Sequence, residues 1–243
     1  MDEKKTTVEK QHEKPHKSHE RVCENLSFAA KEAFKRLRTN VVMSFDESEE
    51  KCRVIGVTSA QPSEGKSTVS LNLAYSLSEL GKRVLLVDAD MRRPSVSAKL
   101  RIRQTPGLSN LLGDVNSITA TIQRYTSSTS DASFDIITSG DIPKNPSELL
   151  NSQRMEKLMA IVSKAYDYLI IDLPPVGAVI DAVLLTKHTD GMIVVMRENN
   201  CPRGVLRDCV EQLRFANVNI LGFVVNGAIE GAGKNYKYSG YYY

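Results

Sequence analysis

The chain reads as an α/β protein, with a mostly parallel sheet covered by helices on both faces, and three observations predict it. Short apolar runs rich in β-branched residues recur at 54–58, 84–87, 134–138, 168–171, 191–196 and 219–225. Segments with apolar residues at helical spacing separate most of them, and strand–helix alternation implies crossover connections and parallel pairing. Three of the runs end in phosphate-binding or acidic residues, as expected where ligands sit at the carboxyl ends of the strands. With 243 residues and 41% hydrophobic content, the chain has enough apolar material for one sizeable core.

Taken in order, residues 1–22 are almost all polar or charged and are expected to form a disordered tail. His12, His16 and His19 lie there without cysteines or ordered carboxylates, so a solvated tail is favoured over a metal tract. From Leu26 the pattern turns helical. Leu26, Ala30, Ala33, Phe34, Leu37 and Val41 form an apolar face opposite Lys31, Lys35, Arg36 and Arg38. Strand 54–58 and a helix from Ser67 to Leu80 follow. After strand 84–87 comes a polar segment holding Thr105-Pro-Gly-Leu-Ser, then a Ser/Thr-rich stretch around Tyr125 to Ser130. Strand 134–138 leads into a loop, and a helix with Ser147 as its cap is expected next. Strand 168–171, helix 179–188, strand 191–196, helix 203–215 and strand 219–225 complete the alternation.

The stretch Ala60-Gln-Pro-Ser63-Glu64-Gly65-Lys66-Ser67-Thr68 fits a phosphate-binding loop, with Ala in place of the first Gly. Gly65 lets backbone N–H groups approach phosphate oxygens, and the helix start adds its dipole. Lys66 reaches the β- and γ-phosphates, and the Ser67 hydroxyl is the expected Mg²⁺ ligand. The fold class is therefore a P-loop NTPase. A chance Gly-Lys-Ser at a helix start is disfavoured by two later strand ends. Val84-Leu-Leu-Val-Asp88-Ala-Asp90-Met-Arg92-Arg93 carries two carboxylates, and Tyr168-Leu-Ile-Ile-Asp172 carries a third. One strand-terminal Asp is commonly a cap or turn residue. Three around one phosphate loop point to a catalytic and Mg²⁺-binding cluster. Asp88 is assigned as proton acceptor on the expectation that it ends the strand nearest the loop, and Asp90 and Asp172 as holders of Mg²⁺ or its waters.

The C-terminus is the second unusual feature. Tyr236, Tyr238, Tyr241, Tyr242 and Tyr243 are five of the chain's nine tyrosines, preceded by a Gly-rich lead after Asn226. They lack the aliphatic interleaving of a packed segment. An interface-forming aromatic tail competes with a series of phosphate acceptors beside a nucleotide site.

These motifs, with Ser139-Gly-Asp-Ile-Pro-Lys-Asn-Pro-Ser-Glu-Leu-Leu, resemble bacterial tyrosine kinases of the capsular and exopolysaccharide type over roughly residues 25 to 243. The resemblance implies ATP and Mg²⁺ as cofactors, with Ser63 to Thr68 and Asn226 binding the nucleotide. It implies autophosphorylation of the tail between subunits, other protein-tyrosine substrates, a cognate phosphatase and a role in polysaccharide export. It also implies a ring-shaped homo-oligomer and a separate transmembrane activator that recruits a cytoplasmic chain to the inner face of the membrane. On this reading residues 23–228 are the kinase domain and 229–243 the autophosphorylation tail. The helix motif used for ring contacts corresponds to Glu32, Lys35 and Arg38, with Lys35 in place of an Arg that pairs bidentately. The alternative is a partitioning or cell-division ATPase of the same superfamily, whose signature second Lys would stand where Gln61 does.

Composition excludes little more. A net charge of +3 is too mild to argue for nucleic acid. No stretch approaches the ~20 apolar residues that span a bilayer, and no apolar signal core opens the chain. Cys23, Cys52, Cys201 and Cys209 have no CxxC-like spacing and read as reduced structural thiols.

Overall fold

The computed structural model describes residues 22–46, 51–113 and 118–227. The polar tail (1–21) and the five clustered tyrosines lie outside the described residues. In chain order the elements are α1 (Phe28–Met43), β1 (Arg53–Ser59), α2 (Lys66–Ser78), β2 (Val84–Asp88), α3 (Val96–Leu100) and α4 (Leu108–Gly113). Then come β3 (Ile122–Thr126), β4 (Ser133–Ile137), α5 (Pro146–Leu150), α6 (Gln153–Val162) and β5 (Tyr168–Asp172). The last are α7 (Asp181–Leu184), β6 (Gly191–Arg197), α8 (Arg203–Phe215) and β7 (Ile220–Asn226).

The seven strands form one sheet in the order β3-β4-β2-β5-β1-β6-β7. All neighbours pair in parallel except β3 and β4. Alternate strand residues feed two apolar layers, one on each face, because successive side chains point to opposite sides. Leu85, Val87, Leu169 and Ile171 pack toward α6 and α8. Leu86, Ile170, Ile55 and Val57 pack against Leu71, Leu73 and Leu77 of α2. Each such fully buried aliphatic contributes roughly 1.5–3 kcal/mol of transfer free energy.

Helix α2 is buried at every residue but Thr68. It lies between the sheet and α1, so α1 is an outer layer that needs only a narrow apolar stripe. Val41 is its one buried residue, with Phe34, Leu37 and Val42 packed partly against the core. The Ser27 hydroxyl accepts a hydrogen bond from Ala30 N at 3.3 Å, capping the helix two residues after Leu26. Val22 and Cys23 are buried, and Cys23 N donates to Asn72 Oδ1 at 2.6 Å. The packed domain thus begins at or before Val22, which belongs to the core and not to the polar tail.

One strand has no counterpart in the sequence reading: β3, which runs into the Ser/Thr-rich stretch, is an edge strand whose polar Gln123, Arg124 and Thr126 face partly outward and hide the strand signal. Two local expectations are corrected. Ser147 is not a helix cap. Asn145 precedes the helix, Pro146 opens it, and the Ser147 hydroxyl goes to Asp181 instead. The expected helix over 179–188 is broken into the four-residue α7 and a 3₁₀ turn at Thr186–His188. All four cysteines are free thiols.

Candidate active site

β1, β5 and β2 lie side by side and deliver the site's residues to one rim. Parallel registration sets Val57 opposite Asp172 and Asp172 opposite Asp88. Asp172 therefore stands on the strand adjacent to the phosphate-loop strand, and Asp88 one strand farther away. The expectation that Asp88 ends the strand nearest the loop is corrected: β5 intervenes between β1 and β2.

The loop itself is held open by backbone conformation. Gly65 has φ +95°, and a Cβ added there would run into the Asn226 side-chain amide. Asn226 Nδ2 donates to the Glu64 carbonyl at 2.9 Å, tying the end of β7 to the loop. Glu64 is fully buried, and its carboxylate accepts a bond from Gln61 N at 2.9 Å. Its side chain therefore shapes the turn and leaves only backbone for a phosphate. Ser63 also sits in the left-handed region, with φ +64°. With Gly65 it makes the concave run of N–H groups that binds anions.

At the start of α2, Lys66 Nζ donates to Asp90 Oδ2 at 2.7 Å and lies 4.0 Å from Asp172 Oδ1. The Ser70 hydroxyl, one turn after Lys66, lies 3.1 Å from Asp172 Oδ1 and 3.0 Å from the Lys66 carbonyl. Asp88 accepts bonds from Asp90 N at 3.2 Å and Val96 N at 3.4 Å. Asp88 and Asp172 are fully buried, and Asp172 Oδ2 has no hydrogen-bond partner among the described residues. Burial pushes the Asp88 carboxyl well up, and the facing Asp172 carboxylate adds to it. Burial also raises Asp172, partly offset by Lys66. Burial works against the charge on Lys66, but the Asp172 and Asp90 carboxylates outweigh it and hold its pKa above the ordinary value.

Above this cluster opens a cleft of about 760 Å³, walled by Lys66, Ser67, Thr68, Asp90, Asn226 and the guanidinium-bearing Arg92 and Arg197. In the sequence Arg92 stands out only as part of the Asp88–Arg93 segment. Here its Nε and Nη2 donate to Asp181 at 2.7 and 3.2 Å, while the Ser147 hydroxyl donates to Asp181 Oδ1 at 2.5 Å. Asp181 is buried; burial alone would raise its pKa, but Arg92 and Ser147 outweigh it and hold it low. No sequence signal marked Asp181, because its partners are 89 and 34 residues away.

The residues present fit a nucleotide with Mg²⁺. The cradle admits no side chain at Gly65, the Ser67 hydroxyl lines the cleft, and a buried carboxylate oxygen of Asp172 is unpaired. No three His, Cys, Asp or Glu side chains among the described residues form a ready-made metal cage. Mg²⁺ does not require one, since it keeps waters and is held by one or two carboxylates together with substrate phosphates.

The proposed oligomer contacts are not brought to this cleft. Lys35 Nζ donates to Glu32 Oε1 at 2.8 Å on the outer face of α1. Arg38 turns away from that pair: it donates to the Ser76 carbonyl at 2.8 Å and lies 3.6 Å from Glu79. The three residues of the ring-contact motif are thus divided, since the Ser76 carbonyl and the Glu79 carboxylate draw Arg38 inward.

Comparison with known proteins agrees with this geometry. Residues 52–218 match the AAA domain family AAA_31. The chain is 34% identical over 209 residues to tyrosine-protein kinase YwqD of Bacillus subtilis, covering 86% of each. It is 31% identical to tyrosine-protein kinase CpsD of Streptococcus agalactiae, covering 86% of this chain and 89% of that one.

The chain belongs to the bacterial tyrosine-protein kinases.

The solved kinase domain of Escherichia coli tyrosine kinase ETK superposes on this kinase with a TM-score of 0.79 at 32% identity, covering 89% of this chain and 82% of that one. Against the whole Escherichia coli protein, the match spans 29% of its length. Among the described residues of this kinase no helix is long and apolar enough to cross a membrane.

Proposed function

We propose that this kinase transfers the γ-phosphoryl group of ATP in line to tail tyrosines of a neighbouring copy, and that the modified tail regulates synthesis and export of a capsular or extracellular polysaccharide. The observation that carries this reading is the convergence of Lys66, Asp90 and Asp172 beneath a cleft that opens beside Asn226, near where the tail begins. Backbone N–H groups from Ser63 to Thr68 hold the phosphates. Lys66 exchanges Asp90 for the β- and γ-phosphate oxygens and stabilises the charge that develops there. Mg²⁺, held by Ser67, Asp90 and Asp172 directly or through water with Asp88 behind them, would neutralise phosphate charge when bound. The proton that the tyrosine hydroxyl loses, as its oxygen bonds to phosphorus and the bond to ADP breaks, passes into the aspartate cluster, with Asp88 as its final acceptor. Arg92, braced by Asp181, guides the acceptor at the cleft mouth.

The wider reading rests on family likeness. Unphosphorylated copies assemble in a ring through Glu32 and Lys35, a separate transmembrane activator recruits the kinase to the inner face of the cell membrane, and a cognate phosphatase resets the tail. Other protein tyrosines serve as substrates, and nucleic acid is not a partner. The test mixes two proteins with ATP and Mg²⁺. One is Lys66→Met with an intact tail; the other has Lys66 but carries Phe at Tyr236, Tyr238, Tyr241, Tyr242 and Tyr243. Phosphotyrosine should accumulate on the Lys66→Met chain alone. Absence of label there, with activity in the unaltered protein, would overturn transfer between copies.

A further inference from the structure

A second concavity, of about 600 Å³, lies between α1 and the edge strand β7. Its walls are apolar: Ala30, Phe34 and Leu37 on one side, Val224 and Val225 on the other. Among the described residues its lining contains no charged side chain. Asn72 of α2 lines its floor and is fully buried. The Asn72 carbonyl oxygen accepts from Cys23 N, but its Nδ2 donor has no partner among the described residues. A buried amide donor left unpaired is costly, so an occupant bringing an acceptor to that depth is favoured. The groove adjoins the nucleotide cleft, since Thr68, Asn226 and Gly227 line both.

Gly227 decides the occupant. It is the last described residue, and it lines the groove itself, so residues 228–243 depart from the groove's own wall. Tyr236 is nine residues on, within a reach of roughly 30 Å. Of the side chains in that segment, tyrosine matches the groove best: an apolar ring for its walls and a hydroxyl for Asn72 Nδ2. We propose that the α1–β7 groove docks an unmodified tail tyrosine of the same chain, holding it beside the nucleotide cleft but away from Lys66 and the aspartates. A phosphotyrosine carries close to two negative charges into a lining with no cation, so phosphorylation ejects the tail. The groove would thereby distinguish modified from unmodified tails. This holds whether or not the tail is modified between copies.

Fluorine NMR on the full chain labelled with 3-fluorotyrosine tests it, in a Lys66→Met background where no phosphate is added. Tail signals are assigned by single Tyr→Phe substitutions, while Tyr75, Tyr125, Tyr166 and Tyr168 report that the domain is folded. At least one tail signal should be shifted and broadened relative to free fluorotyrosine. It should return to the free position in Ala30→Leu/Ala33→Leu, which fills the groove with good helix formers, provided the four domain signals are unchanged. Independently, Asn72→Ala, which removes the buried donor, should shift the docked signal toward the free position, again with the four domain signals unchanged. Five tail signals at the free position in the parent protein would overturn the proposal. So would a docked signal that survives groove filling, or one lost on tenfold dilution, which would assign the groove to a second copy's tail.

Discussion

Lys66 Nζ stands 2.7 Å from Asp90 Oδ2, and the same ammonium is the group that must reach the phosphates of a bound nucleotide. In the free kinase the lysine is therefore held by the carboxylates, and it neutralises part of a buried acidic cluster. Replacing it with Met should abolish phosphotyrosine formation, at least about 100-fold, without changing the fold. The raised pKa of Lys66 also carries a stability consequence. Its contribution is fully present below the unfolded value of 10.5 and is lost as pH rises through the higher folded value. Melting curves from pH 7 to 11 should show a larger alkaline loss in the parent than in Lys66→Met, which keeps the losses due to the buried thiols and tyrosines.

Asp172 is buried on the opposite terms. Its folded pKa is raised above 3.8, so the folded state binds the proton more tightly, and stability falls as pH climbs from 3.8 through the folded value. Asp172→Asn keeps an oxygen for Ser70 and removes the ionisable group. We expect Tm at pH 8 to rise by about 2–4 °C, equivalent to about 1 kcal/mol. The gain should shrink toward pH 4, while phosphotyrosine formation drops by about 100-fold. A lower Tm at pH 8 would show that Asp172 is structurally required as a carboxylate.

Gly65 and Asn226 form a steric pair. Gly65→Ala imposes a left-handed conformation on a residue with a Cβ and drives it into the Asn226 amide. The expected cost is about 1–3 kcal/mol of stability, with loss of ATP binding measurable by calorimetry. Adding Asn226→Ala should recover part of the stability, because the clash is relieved, but not ATP binding. Equal Tm values for the single and double variants would rule out the pairing.

Arg92 and Asp181 should prove coupled. Arg92→Ala leaves the buried Asp181 with Ser147 as its remaining hydrogen-bond partner, and we expect a loss of about 2 kcal/mol, or roughly 4–8 °C in Tm. Arg92 is partly exposed, which moderates the figure. Because the folded Asp181 pKa lies below 3.8, the pair's stabilisation is present above 3.8 and disappears as pH falls through the folded value. The difference between parent and variant should therefore narrow in acid. A double-mutant cycle with Asp181→Ala should return a coupling of about 1 kcal/mol or more.

On α1, Glu32, Lys35 and Arg38 should separate by phenotype. Arg38→Ala removes the bond to the Ser76 carbonyl and should lower Tm by about 2–4 °C. Charge reversal at Glu32 and Lys35 together preserves their mutual pair and should leave Tm within about 1 °C. If the ring proposal holds, that reversal reduces the mass measured by light scattering. An unchanged mass would remove Glu32 and Lys35 from the interface.

The amino-acid sequence alone determined the class of ligand and most of the scaffold. Phosphate binding is a local property: a strand, a Gly-Lys-Ser turn and a helix start are contiguous at 53–78, and backbone N–H groups within that turn form the cradle. Strands buried on both faces, such as β2 and β5, announce themselves as unbroken apolar runs that end in aspartate. The tertiary structure decided what depends on neighbours distant in sequence. Strand order placed β5 between β1 and β2, so Asp172 and not Asp88 adjoins the phosphate-loop strand. Half-exposed β3 is an antiparallel edge whose polar residues carry no periodic signal. The direction taken by Arg38, the embrace of Arg92 by Asp181 and the unpaired amide of Asn72 each depend on groups brought together by packing. Sequence periodicity tells which face of an element is apolar, whereas hydrogen bonds between side chains are set by separations of a few ångströms that only the assembled layers define.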